Sequence, residues 1–151
     1  MSGGAQLKGF SLFADLGDAE REDLAELLEE RDLSVRETLF AEGEEADALV
    51  LVLSGRVEIE SPRSRERLSI GAGGTIGALA LFSVGLREGE ATGAEPSEVR
   101  LLRREEFLRF AEDHPRAAFR IAAAAAAEVA QHAREALPRY GVSVDPSRAA
   151  E

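Results

Sequence analysis

The sequence predicts an α+β, mainly β fold: an antiparallel β-roll of jelly-roll type, with helices before it and a long helix after it. Three observations predict it. Apolar residues recur about every third position up to Leu28, alternate about every second from Leu33, and return to helical spacing after Leu102. The middle of the chain is broken into short apolar stretches by Gly, Pro and Ser turns. An alanine-rich stretch then runs from Pro115 to Leu137 without a helix breaker.

The elements follow in order. Leu7, Phe10, Phe13 and Leu16 share a three-residue spacing. Asp18 is a good N-cap for "AEREDLAELLEE", where Leu24, Leu27 and Leu28 make one stripe under acidic residues. "LSVRETLF" alternates loosely, "EGEEAD" reads as a turn, and "ALVLVLSG" reads as a buried strand with a glycine end. "RVEIE" points Val57 and Ile59 inward and Glu58 and Glu60 outward. "SPRSRE" then turns the chain into a returning strand, "RLSI". A further strand pair, "EATGAE" with "EVRLL", is expected to join at Pro96-Ser97.

"RREEFLRFAED" is a helix that brings Phe107, Leu108 and Phe110 together and stops at His114-Pro115. Proline suits the first turn of the helix that follows, and Pro138 ends it. Its expected stripe is Ala118, Ile121, Ala122, Ala125, Val129, His132 and Ala136. The chain thus reads as one domain over 1–137, with N-terminal helices at 5–31, a roll at 33–102 and C-terminal helices at 103–137. A polar tail, 138–151, follows, in which Tyr140 and Val142 could dock.

Composition narrows the chemistry. The chain has 151 residues, no cysteine and two histidines, so thiolate chemistry, disulfides and a multi-histidine metal site are excluded. A net charge of −11 opposes binding to nucleic acid or to anionic membrane, because each phosphate contact needs a cation. Arg63, Arg65 and Arg67 are the nearest approach to a basic patch, on what reads as a solvated hairpin tip. No apolar run reaches the ~18 residues of a transmembrane helix, and the N-terminus lacks the pattern of a signal peptide. A cytoplasmic protein is expected.

Catalytic readings fare poorly. A metal-dependent enzyme on a roll of this kind needs inward imidazoles, and "ALVLVLSGRVEIE" has none. "GAGGTIG" is spaced loosely like a dinucleotide loop through Gly71, Gly73 and Gly77, with Glu95 beyond, but hairpin strands surround it where parallel strands are required. The acid pairs Glu44-Glu45 and Glu105-Glu106 read as solvated groups at a turn and a helix start. His114 and His132 read as structural or exposed.

The blocks "ETLFAEGEEADALVLVLSGRVEIE", "GGTIGALALF" and "ATGAEPSEVRLLRREEF", followed by the long helix, resemble the cyclic-nucleotide-binding domain family of catabolite-activator-type regulators and kinase regulatory subunits. The resemblance runs from about Phe10 to Leu137. Gly43, Gly55, Gly74 and Gly77 stand where that family turns its strands. It implies a phosphate-binding cassette in which a Gly-Glu pair opens a short helix. The glutamate holds the ribose hydroxyl, and an arginine further on neutralises the cyclic phosphate, beside helix N-terminal amides.

Carried onto this chain, the glycine is Gly77, the glutamate position is Ala78 with Leu79 beside it, and the arginine position is Glu88, followed by Gly89. Arg87 lies one residue off, and a one-residue shift of the loop would bring it into use. Two lost charge-assisted contacts forfeit ~3–6 kcal/mol, enough to turn a micromolar site millimolar or weaker.

The expected function is therefore a stand-alone, non-enzymatic regulatory or scaffolding module. It has lost ordinary cyclic AMP or cyclic GMP binding, has no other cofactor, and acts through protein contacts. The alternative is a sensor that holds a cyclic nucleotide or another ligand in the altered pocket. Self-association is expected through the long helix at Ala118, Ile121, Ala122, Ala125 and Val129, as a homodimer, with or without an unidentified protein partner. The DNA-binding members of the resembled family carry a helix-turn-helix after that helix. Here only the segment 138–151 follows, and the chain alone is not expected to read DNA.

Overall fold

The computed structural model describes residues 2–63 and 65–137. The expected tail contacts of Tyr140 and Val142 lie outside the described residues. The chain begins with α1 (Gly3–Leu7), a single 3-10 turn (Ser11–Phe13) and α2 (Asp18–Ala25). Ten strands follow: β1 (Glu29–Leu33), β2 (Thr38–Phe40), β3 (Glu45–Ala46), β4 (Ala48–Ser54), β5 (Arg56–Glu60), β6 (Arg67–Gly71), β7 (Thr75–Ile76), β8 (Gly85–Leu86), β9 (Glu90–Gly93) and β10 (Ser97–Arg103). The chain then forms α3 (Arg104–Asp113) and α4 (Pro115–Ala136).

The strands make an antiparallel roll of two four-stranded sheets, ordered β1-β10-β4-β7 and β2-β9-β5-β6, with a two-stranded ribbon of β3 and β8 beside them. Strand β4 explains why "ALVLVL" lacks polar residues. Leu49 and Leu51 face the helices, in a core with Phe13, Leu24, Leu102, Phe107, Phe110 and Ile121. Ala48, Val50 and Val52 point the other way, into the roll, against Leu33, Phe40, Val57, Ala91 and Val99. A strand covered on both faces has no position at which a polar residue reaches water.

The corner between β4 and β5 sends the chain from one sheet to the other, and Gly55 makes it at φ 85°. A side chain at Gly55 would meet Ser97 and the Pro96 carbonyl, so the position needs glycine for both conformation and space. Ser97 completes the corner by accepting a hydrogen bond from the Arg56 N–H at 2.9 Å.

Several expectations are corrected. Residues 29–31 are the start of β1, not the end of a helix; they pair with 99–101 of β10. "EGEEAD" is not only a turn, since Glu45 and Ala46 pair with Leu86 and Gly85. "EATGAE" and "EVRLL" are not a pair: β9 lies between β2 and β5, whereas β10 lies between β1 and β4. Pro96 therefore sits at a crossing between sheets, which local alternation cannot tell from a hairpin turn. Leu108 does not join Phe107 and Phe110 in the core but is 52% exposed. In α4 the most buried residues are Ala117, Ile121 and Ala125, while Val129 and His132 are exposed.

The N-terminal segment is held by a buried arginine. Arg21 is 4% exposed, pairs with Asp18 at 2.6 Å, and donates to the carbonyls of Phe13, Ala14 and Leu16. These carbonyls bracket the end of the 3-10 turn, where the backbone has few N–H donors for its own oxygens. The guanidinium thus substitutes for a missing stretch of regular structure.

Candidate functional site

The cassette begins where β7 ends. Gly77 adopts a left-handed conformation (φ 77°, ψ 43°) and leads into a 3-10 turn over Ala78–Leu81. The expected short apolar helix is present in this tighter form. The loop returns through the β3–β8 ribbon, beyond which the Arg87 N–H donates to the Glu44 carbonyl at 2.7 Å and the Gly43 N–H to the Arg87 carbonyl at 2.9 Å. Gly89 passes so close to β5 that a side chain there would meet the Glu60 carbonyl. The path of the loop is thus fixed by main-chain bonds at both ends.

This path decides which residue points inward. Arg87 is 9% exposed, whereas Glu88 is exposed. One Nη of Arg87 donates to the Ala48 carbonyl at 2.7 Å, and its guanidinium lies 4.3 Å from the centre of the Phe40 ring. The other Nη packs against Gly77, in the space a side chain there would occupy. Burial pulls the pKa of Arg87 below its ordinary value, opposed by the nearby charges of Asp47 and Glu44. Among the described residues no carboxylate stands within ion-pair distance of it.

Under the cassette lies a cavity of about 470 Å³, with Phe40, Ile59, Ile76, Leu79, Leu86 and the inward face of Arg87 on its walls and Ser83 and Glu88 as further polar lining. Its size suits a small organic molecule. A second hollow of about 720 Å³ adjoins it through Ile59, Leu86, Arg87, Glu88 and Gly89, and extends to Glu42, Arg63, Glu66 and Leu68. The structure thus brings Gly77, Leu79, Arg87, Glu88 and Gly89 around one cavity. Ala78 is not on its wall; it is half-buried and packs toward the helix-side core.

Two features escaped sequence reasoning. Phe40 and the Ala48 carbonyl, which receive Arg87, come from elements far from the cassette in sequence. Arg104, the first residue of α3, donates from Nε to the Ala80 carbonyl at 2.9 Å and from Nη2 to the Ala46 carbonyl at 2.8 Å. It ties the cassette turn, the ribbon and α3 together. Phe82, just past the turn, meets Phe107 of α3 edge-on at 5.3 Å. "RREEF" carries no local signal for such a joint, since an arginine at a helix start is ordinarily solvated. Around the cassette Leu79, Phe82, Val84 and Leu86 remain 42–75% exposed.

The residues expected on a dimer face divide between two environments. Ile121 and Ala125 are buried in the chain's own core, Ala118 and Ala122 are half-buried, and Val129 is 39% exposed. None of them lines the cassette cavity.

A roll of this topology, with a glycine-led turn held over a cavity and helices on one side, is the fold of regulatory domains of the cyclic-nucleotide-binding type. The model of the family described as cyclic nucleotide-binding domain matches residues 30–114, more than half of the chain, and the chain belongs to that family. Solved structures agree. The N-terminal domain of a transcriptional regulator from Streptomyces coelicolor A3(2) is 27% identical with a TM-score of 0.76, over 84% of this chain and 94% of that one. The catabolite activator protein of Thermus thermophilus is 26% identical with a TM-score of 0.75, over 87% of this chain and 62% of that one. The sensor domain of the transcriptional regulator DNR from Pseudomonas aeruginosa, 20% identical with a TM-score of 0.72 over 89% of this chain and 90% of that one, shares the fold. No match was found among curated proteins.

Proposed function

We propose that this chain is a non-enzymatic, cytoplasmic regulatory module that has lost ordinary cyclic AMP and cyclic GMP binding and acts through protein contacts. The alanine at the ribose position and the acid at the expected arginine position carry this reading. The position expected to meet the phosphate is an acid at the cavity wall, and the position expected to hold the ribose is Ala78, which has no polar side-chain atom and faces elsewhere. A ribose hydroxyl taken from water into such a wall loses hydrogen bonds that nothing replaces.

Calorimetry with cyclic AMP and cyclic GMP at high micromolar concentration should give no heat of binding. Stoichiometric binding near ~10 μM, about −7 kcal/mol, would refute the reading.

For the protein contact we propose a homodimer through α4. Phe119, Ala122, Ala126, Val129 and Ala133 recur at alternating spacings of three and four and are exposed or half-buried. That period is the one by which two helices pack along a seam. This face lies beside the buried line of Ala117, Ile121 and Ala125. A second reading, a sensor for another small molecule, is favoured by the half-open, largely apolar cavity under the cassette.

A further inference from the structure

Arg87 presents a physical imbalance. The residue is 9% exposed, yet among the described residues its guanidinium makes a single hydrogen bond, to the Ala48 carbonyl, and no ion pair. A buried cation is costly unless charge and hydrogen bonds compensate it, and the face of Phe40 compensates only in part. Two other arginines are better served: Arg21 has three carbonyls and a carboxylate, and Arg104 has two carbonyls. Arg87 retains free N–H groups on the wall of a largely apolar cavity, and Gly77 leaves the room its guanidinium fills.

We propose that this cavity binds a small organic monoanion with an apolar body, a carboxylate above all, whose charge meets Arg87 and whose body packs on Phe40, Ile59, Ile76, Leu79 and Leu86. The inference rests on the second reading above, that the cavity holds a ligand. A carboxylate matches the fork of a guanidinium that has donors to spare. The apolar wall rewards a hydrocarbon body and penalises a ribose and base, for which the side chains offer only Ser83 and Glu88. Glu88, of like charge, discriminates against a second negative group on the ligand.

The test is a titration of the full chain, followed by amide and arginine Nε–H NMR shifts, with benzoate, phenylacetate and octanoate as probes and octanamide as the uncharged control. The expected result is a saturable shift at Gly77, Leu79 and Arg87 with at least one carboxylate and weaker binding of octanamide than of octanoate. Arg87→Gln should weaken the carboxylate about ten- to a hundredfold, as removal of a charge-assisted contact does. Glu88→Gln, at an exposed position, should tighten it several-fold and serves as the test should Arg87→Gln fail to fold. Silence from all three carboxylates, equal binding of octanoate and octanamide, or unchanged affinity in Glu88→Gln overturns the proposal. Cyclic AMP in the same titration separates the readings. Its saturable binding overturns the loss of nucleotide binding, whereas silence from both cyclic AMP and the carboxylates overturns only the monoanion site and leaves the protein-contact reading standing.

Discussion

Replacing Gly77 with alanine would strike the cassette at its tightest point. The backbone there is left-handed, at φ 77°, which costs an L-residue ~1–2 kcal/mol. The new methyl group would also occupy the place of an Arg87 Nη, forcing the guanidinium away from the Ala48 carbonyl and the Phe40 ring. A hydrogen bond from a charged donor contributes ~1.5–3 kcal/mol, so the two effects together give ~2.5–5 kcal/mol. That is a large part of the ~5–15 kcal/mol by which a domain is ordinarily stable.

Urea denaturation of Gly77→Ala, Arg87→Ala and the double variant separates the two contributions. If the methyl group acts through Arg87, Gly77→Ala should cost only the conformational ~1–2 kcal/mol once Arg87 is absent. The two substitutions would then be coupled by ~1.5–3 kcal/mol. Additive costs would refute the packing of Arg87 beneath Gly77.

Other substitutions probe the rest of the framework. Arg21→Ala should destabilise the chain by ~3–5 kcal/mol in chemical denaturation, because it strands buried carbonyls at the end of the 3-10 turn. Arg21→Lys, with fewer donors, should recover only part of that. Ile121→Ala should lower stability by ~2–5 kcal/mol through a cavity in the helix-side core, in monomer or dimer alike. Phe119→Glu, at a residue 73% exposed, should instead leave the folded monomer within ~0.5 kcal/mol and shift sedimentation toward the monomer. Unchanged sedimentation would remove α4 as the dimer seam.

Much of this architecture was legible in the residues. The roll could be read from the alternation in "RVEIE" and from its turns, and α4 from Pro115 and the alanines that follow. The placement of β9 and β10 in different sheets was not, because alternation reports which side of a strand is buried and says nothing of which strand lies next to it. At the cassette, the family resemblance led to Gly77, Arg87, Glu88 and Gly89. The inward turn of Arg87 depends on main-chain bonds to Gly43 and Glu44, which belong to a distant stretch of the chain. Ile121 and Ala125 fitted an alanine stripe on the expected dimer helix, yet two apolar faces share α4, and only packing tells which of them the roll covers.

The joint made by Arg104 bears on how such a module would report. Its guanidinium bridges carbonyls of the cassette turn and the ribbon from the first residue of α3, and His114 alone separates α3 from α4. A protein that grips α4 and shifts α3 must therefore drag the Ala80 carbonyl with it or break a charged hydrogen bond. The same constraint runs backwards from anything lodged under the cassette. The factor by which binding at one end changes affinity at the other is then the same read from either place, since equilibrium coupling is reciprocal. Arg104→Ala would uncouple the ends while leaving each able to bind, turning a two-way lever into two separate surfaces.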